Sequence, residues 1–129
     1  MNWRRWAYDK LRLDEDLTAL VPLANIYGGG ALQSAPKIKP FLIINYAPSF
    51  RSNVRTSVSS LIVAVHDDPG DYGRIDQTLL RVKELFNNAI PGEPGSTVVE
   101  WLTDSQDLAD DGYGTIMRNS SYRLIGGTP

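Results

Sequence analysis

The chain contains no cysteine. Neither a disulfide nor a thiolate metal centre can hold it together, and folding needs no oxidising compartment. It has one histidine, His66, which any imidazole-based catalytic triad would have to use. Charge of one sign is not in excess, since 13 basic and 15 acidic side chains leave a net charge of −2. A dedicated nucleic-acid binder normally carries a basic surplus on one face, so the balance argues against that class while leaving room for local patches. The longest apolar runs, Phe41 to Ile44 and Leu61 to Val65, fall far short of the ~20 residues that cross a bilayer. No membrane partner is expected. Met1 to Trp6 lacks the apolar stretch of a secretory signal, so the expected place of folding is the cytosol.

What is present suits one globular unit. With 129 residues, 42% hydrophobic and 22% charged, the chain is long enough to bury a core and is expected to form a single domain over 1–129. Glycine, serine and proline without periodicity mark flexible loops near 28–39 and 49–57, and a short tail at 126–129.

Hydrophobic spacing predicts the elements. Trp3, Ala7 and Leu11 recur at helical intervals with Trp6 beside them, and Arg4, Arg5, Asp9 and Lys10 take the other side. Asp14 is placed to accept the free amides of a second, short helix whose stripe is Leu17, Leu20 and Val21, and Pro22 ends it. Ile26-Tyr27 reads as a very short strand. Phe41 to Tyr46 is a strand apolar on both faces, hence interior to a sheet, with Pro48 closing it. Ser49 to Ser57 suits a hairpin tip, and Val58 to Val65 is the return strand. His66 to Gly70 reads as a turn and Asp71 as the cap of the next helix. That helix carries Tyr72, Ile75, Leu79, Val82 and Phe86 inward, with Leu85 and Ala89 widening the stripe. Thr97 to Thr103 and Thr115 to Ile125 are strands separated by an acidic loop, Asp104 to Gly114. The element order predicts an α+β fold: a mainly antiparallel sheet of about four to five strands with amphipathic helices packed on one face.

No constellation assembles catalytic parts. His66-Asp67-Asp68-Pro69-Gly70-Asp71 could coordinate a hard cation or supply an acid–base pair, but Pro69-Gly70 makes a solvated turn with Asp71 as cap the simpler expectation. Asp104 to Gly112 lacks the ligand alternation, central glycine and closing glutamate of a calcium loop. Gly28-Gly29-Gly30 is followed by no Lys-Ser/Thr pair, so it is no phosphate loop, and no serine sits in a G-x-S-x-G elbow. His66 follows Ile62 and Ala64 on one strand face, and its expected partner is a neighbouring acid. Arg51 and Arg55 on the serine-rich segment either grip a phosphate or a partner's carboxylates, or form a solvated tip. The tryptophans fill a core or an interface. Catalysis, a cofactor and a resident metal are therefore not expected.

Two long segments carry a family likeness. Val63-Ala64-Val65-His66-Asp67-Asp68-Pro69-Gly70-Asp71-Tyr72-Gly73-Arg74-Ile75-Asp76 is one. Glu100-Trp101-Leu102-Thr103-Asp104-Ser105, continuing to Asp110-Asp111-Gly112-Tyr113-Gly114-Thr115 and Ser121-Tyr122-Arg123-Leu124, is the other. Their order resembles the tail terminator proteins of long-tailed siphophages, particularly those of actinobacteriophages, along most of the chain after Phe41. The N-terminal helix and Asp14 to Leu17 agree more loosely.

The resemblance implies helices packed on a mainly antiparallel sheet and a hexameric ring on the head-proximal end of the tail tube. It implies three protein partners: other copies of this chain, the tail tube protein, and the head-completion or connector protein. DNA would pass through the lumen without specific binding. The expected location is the virion tail, after assembly in the host cytoplasm. On that reading some of Asp67, Asp68, Asp107, Asp110 and Asp111 face the lumen, and others pair with Arg51, Arg55 or Arg74 of a neighbouring copy. The alternatives are another head–tail joining component, or an unrelated metal-dependent enzyme or small binding module.

Overall fold

The computed structural model describes residues 3–28, 38–50, 57–90 and 96–126. Helix α1, Trp3–Arg12, turns Ala7 and Leu11 fully inward as their spacing requires. Trp3 and Trp6 are half-buried and meet edge to face at 5.9 Å, and Trp6 packs 5.3 Å from Phe86. Helix α2, Glu15–Leu20, begins where Asp14 Oδ2 accepts the Leu17 amide at 2.9 Å. It ends at Val21, whose extended backbone (φ −123°, ψ 113°) is what the following proline demands.

A 3-10 turn, Leu23–Asn25, leads into β1, Ile26–Gly28. The main strands are β2 (Phe41–Phe50) and β3 (Ser57–Asp67). Helix α3 (Gly73–Phe86) follows, then β4 (Ser96–Asp104), β5 (Leu108–Asp110) and β6 (Thr115–Gly126).

These form a six-stranded sheet in the order β1-β2-β3-β6-β4, with β5 also paired to β6. β1 runs parallel to β2, and every other pairing is antiparallel.

Three sequence expectations are corrected. The sheet has six strands rather than four or five, because Leu108–Asp110 of the acidic loop pairs with Thr115–Met117; three residues are too few to show alternation. β2 continues through Pro48 to Phe50, with the register shifting between Ala47 and Phe50; a proline is tolerated where the ladder is already irregular. β3 keeps His66 and Asp67, opposite Phe41 on β2 and Met117 and Ile116 on β6, so the turn starts later than the acidic run suggested.

Alternation sorts the sheet residues onto two faces. Leu42, Ile44, Leu61, Val63, Val65, Val99, Tyr122 and Leu124 form the core with Ala7, Leu11, Leu17, Ile75, Leu79, Val82 and Phe86 of the helices. α1 lies over β1 and β2, while α3 lies over β3, β6 and β4. Phe86 is fully buried and meets the Tyr122 ring edge-on at 5.3 Å; truncating such a residue to alanine costs about 3–5 kcal/mol. On the opposite face Phe41, Ile43, Ala64 and His66 are also buried. That is why β2 and β3 read as apolar on both sides.

The segment after α3 closes one sheet edge. The Asn88 amide donates to the Val99 carbonyl at 2.8 Å, the Val99 amide donates to the Ala89 carbonyl at 3.0 Å, and the Trp101 amide donates to Asn87 Oδ1 at 3.1 Å. β4 therefore presents few unpaired groups to a foreign strand.

Candidate assembly surface

The acidic residues collect at the end of the sheet where β3 leaves, α3 starts and β5 hairpins onto β6. They do not act as one cluster, because several are consumed by the fold. Asp67 is 4% exposed. Arg74 grips it with a two-pronged contact, Nε to Oδ2 at 2.7 Å and Nη2 to Oδ1 at 2.6 Å, and the Asp68 amide adds a bond to Oδ1 at 2.8 Å. Burial pushes the Asp67 carboxyl up, but the Arg74 fork and that amide outweigh it and hold the group below its usual range. Asp67 and Arg74 thus complete each other within one chain.

Asp68 stays exposed, with Lys39 Nζ at 3.5 Å. Asp71 Oδ1 accepts the Gly73 amide at 2.8 Å. The cap position of α3 is Tyr72, which makes no side-chain cap bond, so Asp71 closes the turn one residue before the cap instead of being the cap that the sequence predicts. Together with Pro69, Gly70 and Arg74 these residues line an open depression of about 500 Å³. Among the described residues no group of three or more His, Cys, Asp or Glu side chains is arranged to hold a metal ion.

The second acidic stretch divides in the same way. Asp104 accepts from Trp101 Nε1 at 2.9 Å and Ser120 Oγ at 2.6 Å, and Lys83 Nζ lies 3.6 Å over the Trp101 ring. Burial pushes its carboxyl up and those two hydrogen bonds pull it below the usual value. Asp110 Oδ1 accepts the Tyr113 amide at 3.0 Å and shapes the turn into β6. Gly114 follows at φ +66°, the left-handed region open to glycine. Asp107 and Asp111 remain exposed. Arg118 pairs with Asp76, donates to the Ser105 carbonyl at 3.2 Å and lies 3.7 Å from Asp107. The Tyr72 hydroxyl donates to the Leu108 carbonyl at 3.0 Å, which ties the two acidic loops together.

His66 is walled in rather than poised. It is 2% exposed, stacked on Phe41 at 4.6 Å and met edge-on by Tyr113 at 5.2 Å. Its Nδ1 lies 2.8 Å from Thr115 Oγ1, so its partner is a hydroxyl and not the neighbouring acid expected from sequence. Desolvation lowers its pKa, opposed by the Asp110 charge.

Arg51 and Arg55 lie outside the described residues, as do the tip of the 49–57 segment, most of the 28–39 segment and the end of the tail. One charged surface was not singled out from sequence. α1 carries Arg4, Arg5, Lys10 and Arg12 against Asp9 alone. Arg4 sits 5.3 Å over the Tyr46 ring and Arg12 4.8 Å over Tyr8, while Lys10 is exposed. Amphipathic spacing showed these cations as a solvent side, but only topology places them over the sheet edge opposite the acidic loop.

No protein-family model matches the chain. No curated protein of similar sequence does either. The fold, however, is shared with solved structures. A chain in the virion of a native gene transfer agent particle superposes with a TM-score of 0.77 at 16% identity, covering 98% of this chain and 95% of that one. A second solved chain superposes with a TM-score of 0.62 at 20% identity, over 97% of this chain and 94% of its own length.

Proposed function

We propose that this chain is a structural virion protein that caps the head-proximal end of a phage tail tube, stops tube growth and presents the surface on which the filled head docks. The observation that carries the reading is the end-to-end superposition on a chain of a gene transfer agent virion. The tail-terminator-like segments support it. One runs from β3 through the acidic turn into α3 and the other from β4 through β5 into β6, so they meet where Tyr72 bonds Leu108.

The arrangement suits an assembly subunit. A rigid two-layer core holds loops rich in charge, and the one histidine is shut away from solvent. The cap is a ring of copies of this chain, expected to be hexameric, with the tube protein on one side and the head-completion or connector protein on the other. A closed ring needs one surface of a copy to meet a different surface of the next. Of the five carboxylates assigned to a lumen or a neighbour, Asp68, Asp107 and Asp111 are exposed and Asp110 half-exposed, with Lys39 near Asp68 and Arg118 near Asp107. Along a lumen their charge would keep passing DNA from adhering. Asp67 and Arg74 are left to stabilise the subunit itself.

Electron microscopy of tails assembled with and without the protein tests the reading. Overlong tubes without joined heads are expected in its absence. Joined tails of normal length would remove it. Binding to connectors but not to tube ends would move the chain to another head–tail joining role.

A further inference from the structure

We propose that the outward face of α1 is a docking surface for the β5 edge of a second copy of this chain. The inference rests on the ring reading above for its biological setting, but its argument comes from charge and topology.

Residues 3–12 hold four cations and one carboxylate, whereas residues 104–117 hold four carboxylates and no lysine or arginine. Each stretch keeps charge in water: Arg4 and Lys10 on α1 are exposed, and so are Asp111 and Asp107 beside β5, Asp107 lying 3.7 Å from an Arg118 that it shares with Asp76. The two surfaces lie at opposite sides of the sheet. α1 packs on β1 and β2, at the first edge of the strand order. β3 occupies one side of β6 along its length, so β5 must pair on the other side, at the β4 edge.

One chain therefore cannot bring its own two surfaces together. Two copies can, but only with the α1 edge of one against the β5 edge of the next. Pairing α1 with α1, or β5 with β5, sets like charges against each other and is disfavoured. The charge pattern thus disfavours a two-fold contact that sets either surface on itself and favours a contact between unlike edges, of which the head-to-tail form repeats from copy to copy. Such a contact generates a ring where its rotation closes. Single exposed ion pairs contribute little, so the charges set orientation and encounter while neighbouring apolar area supplies affinity. Leu13, 83% exposed at the end of α1, is one such group.

The test uses two full-length double variants, Arg4→Glu/Lys10→Glu and Asp107→Lys/Asp111→Lys, studied by sedimentation. Wild-type self-association at low ionic strength is expected to fall in about 1 M salt, where the Debye length is about 3 Å. Each reversed variant alone should associate about tenfold more weakly or worse, and an equimolar mixture of the two should recover it. A neutral Arg4→Gln/Lys10→Gln variant with an unchanged melting temperature separates charge from folding and should show an intermediate weakening. Variants that associate like wild type, a mixture no better than its parts, or wild-type chains with no salt-sensitive association would each overturn the proposal. So would an α1 reversal that weakens duplex-DNA binding and leaves self-association untouched, since the cations would then face phosphates. Tail length is read separately. Overlong tubes with no charge effect remove this contact and keep the terminator, whereas recovery on mixing with tails indifferent to the protein does the reverse.

Discussion

Arg81 and Asp14 are joined across 67 residues of sequence by two hydrogen bonds, Nε to Oδ2 at 2.9 Å and Nη2 to Oδ1 at 2.6 Å. The same carboxylate caps α2 through the Leu17 amide. One side chain therefore begins a helix and fastens α3 to it. The Arg81 fork is the main reason the Asp14 carboxyl lies below its ordinary range.

The two roles can be separated by substitution. Asp14→Ala removes both cap and ion pair and is expected to cost about 1–2 kcal/mol from the cap alone. Asp14→Asn keeps an oxygen for the Leu17 amide and loses only the charge, so it should melt between Asp14→Ala and wild type. Urea unfolding of the three proteins checks the order. Equal losses for both variants would show that the cap contributes nothing.

Acid should weaken the protein in two steps. His66 is neutral and stacked in the fold, with a pKa lowered by burial. The unfolded chain binds its proton first, from about pH 6.5 downward. Stability is therefore complete above that value and falls as the pH drops toward the lower folded-state pKa. Asp14, Asp67 and Asp104 have depressed values. Their contributions are present above the ordinary carboxylate pKa, about 3.9, and are lost below it as the folded groups take protons. Melting temperature against pH should show the first decline below about pH 6.5, and His66→Gln should abolish that portion. As His66 is the only histidine, one imidazole resonance reports its titration directly. A midpoint at or above the ordinary histidine value would reject the account.

The Tyr122 hydroxyl is buried and makes no hydrogen bond of good geometry among the described residues, with the Ser120 side chain as a polar neighbour. Its ring is fully enclosed, beside Phe86. Removing an unsatisfied polar atom spares its desolvation cost, so Tyr122→Phe should leave stability unchanged or raise it by up to about 1 kcal/mol. A loss of more than about 1 kcal/mol in denaturant titration would mean the hydroxyl makes a bond that matters.

Much of the fold was legible before any coordinates because short-range physics specifies it. Ile75, Leu79, Val82 and Phe86 lie on one stripe at helical spacing, and all four are buried. Asp14 read as a cap because an oxygen next to free amides needs no distant residue to explain it, and α2 begins there. The two-sided apolar runs announced the inner strands β2 and β3, whose alternate residues fill two different faces.

What tertiary structure alone decided depends on pairings distant in sequence. Nothing in Leu108-Ala109-Asp110 marks a strand, since its partner on β6 supplies the hydrogen bonds. Asp67 and Asp68 are adjacent and chemically alike, yet alternation turns Asp67 into the Arg74 fork and leaves Asp68 in water. His66 met Thr115 and Phe41 rather than an acid because strand register, not chain neighbourhood, chose its surroundings. The basic helix and the acidic loop were each visible as charge, but strand order put them on opposite edges. Composition counts charges; their direction is a property of the sheet.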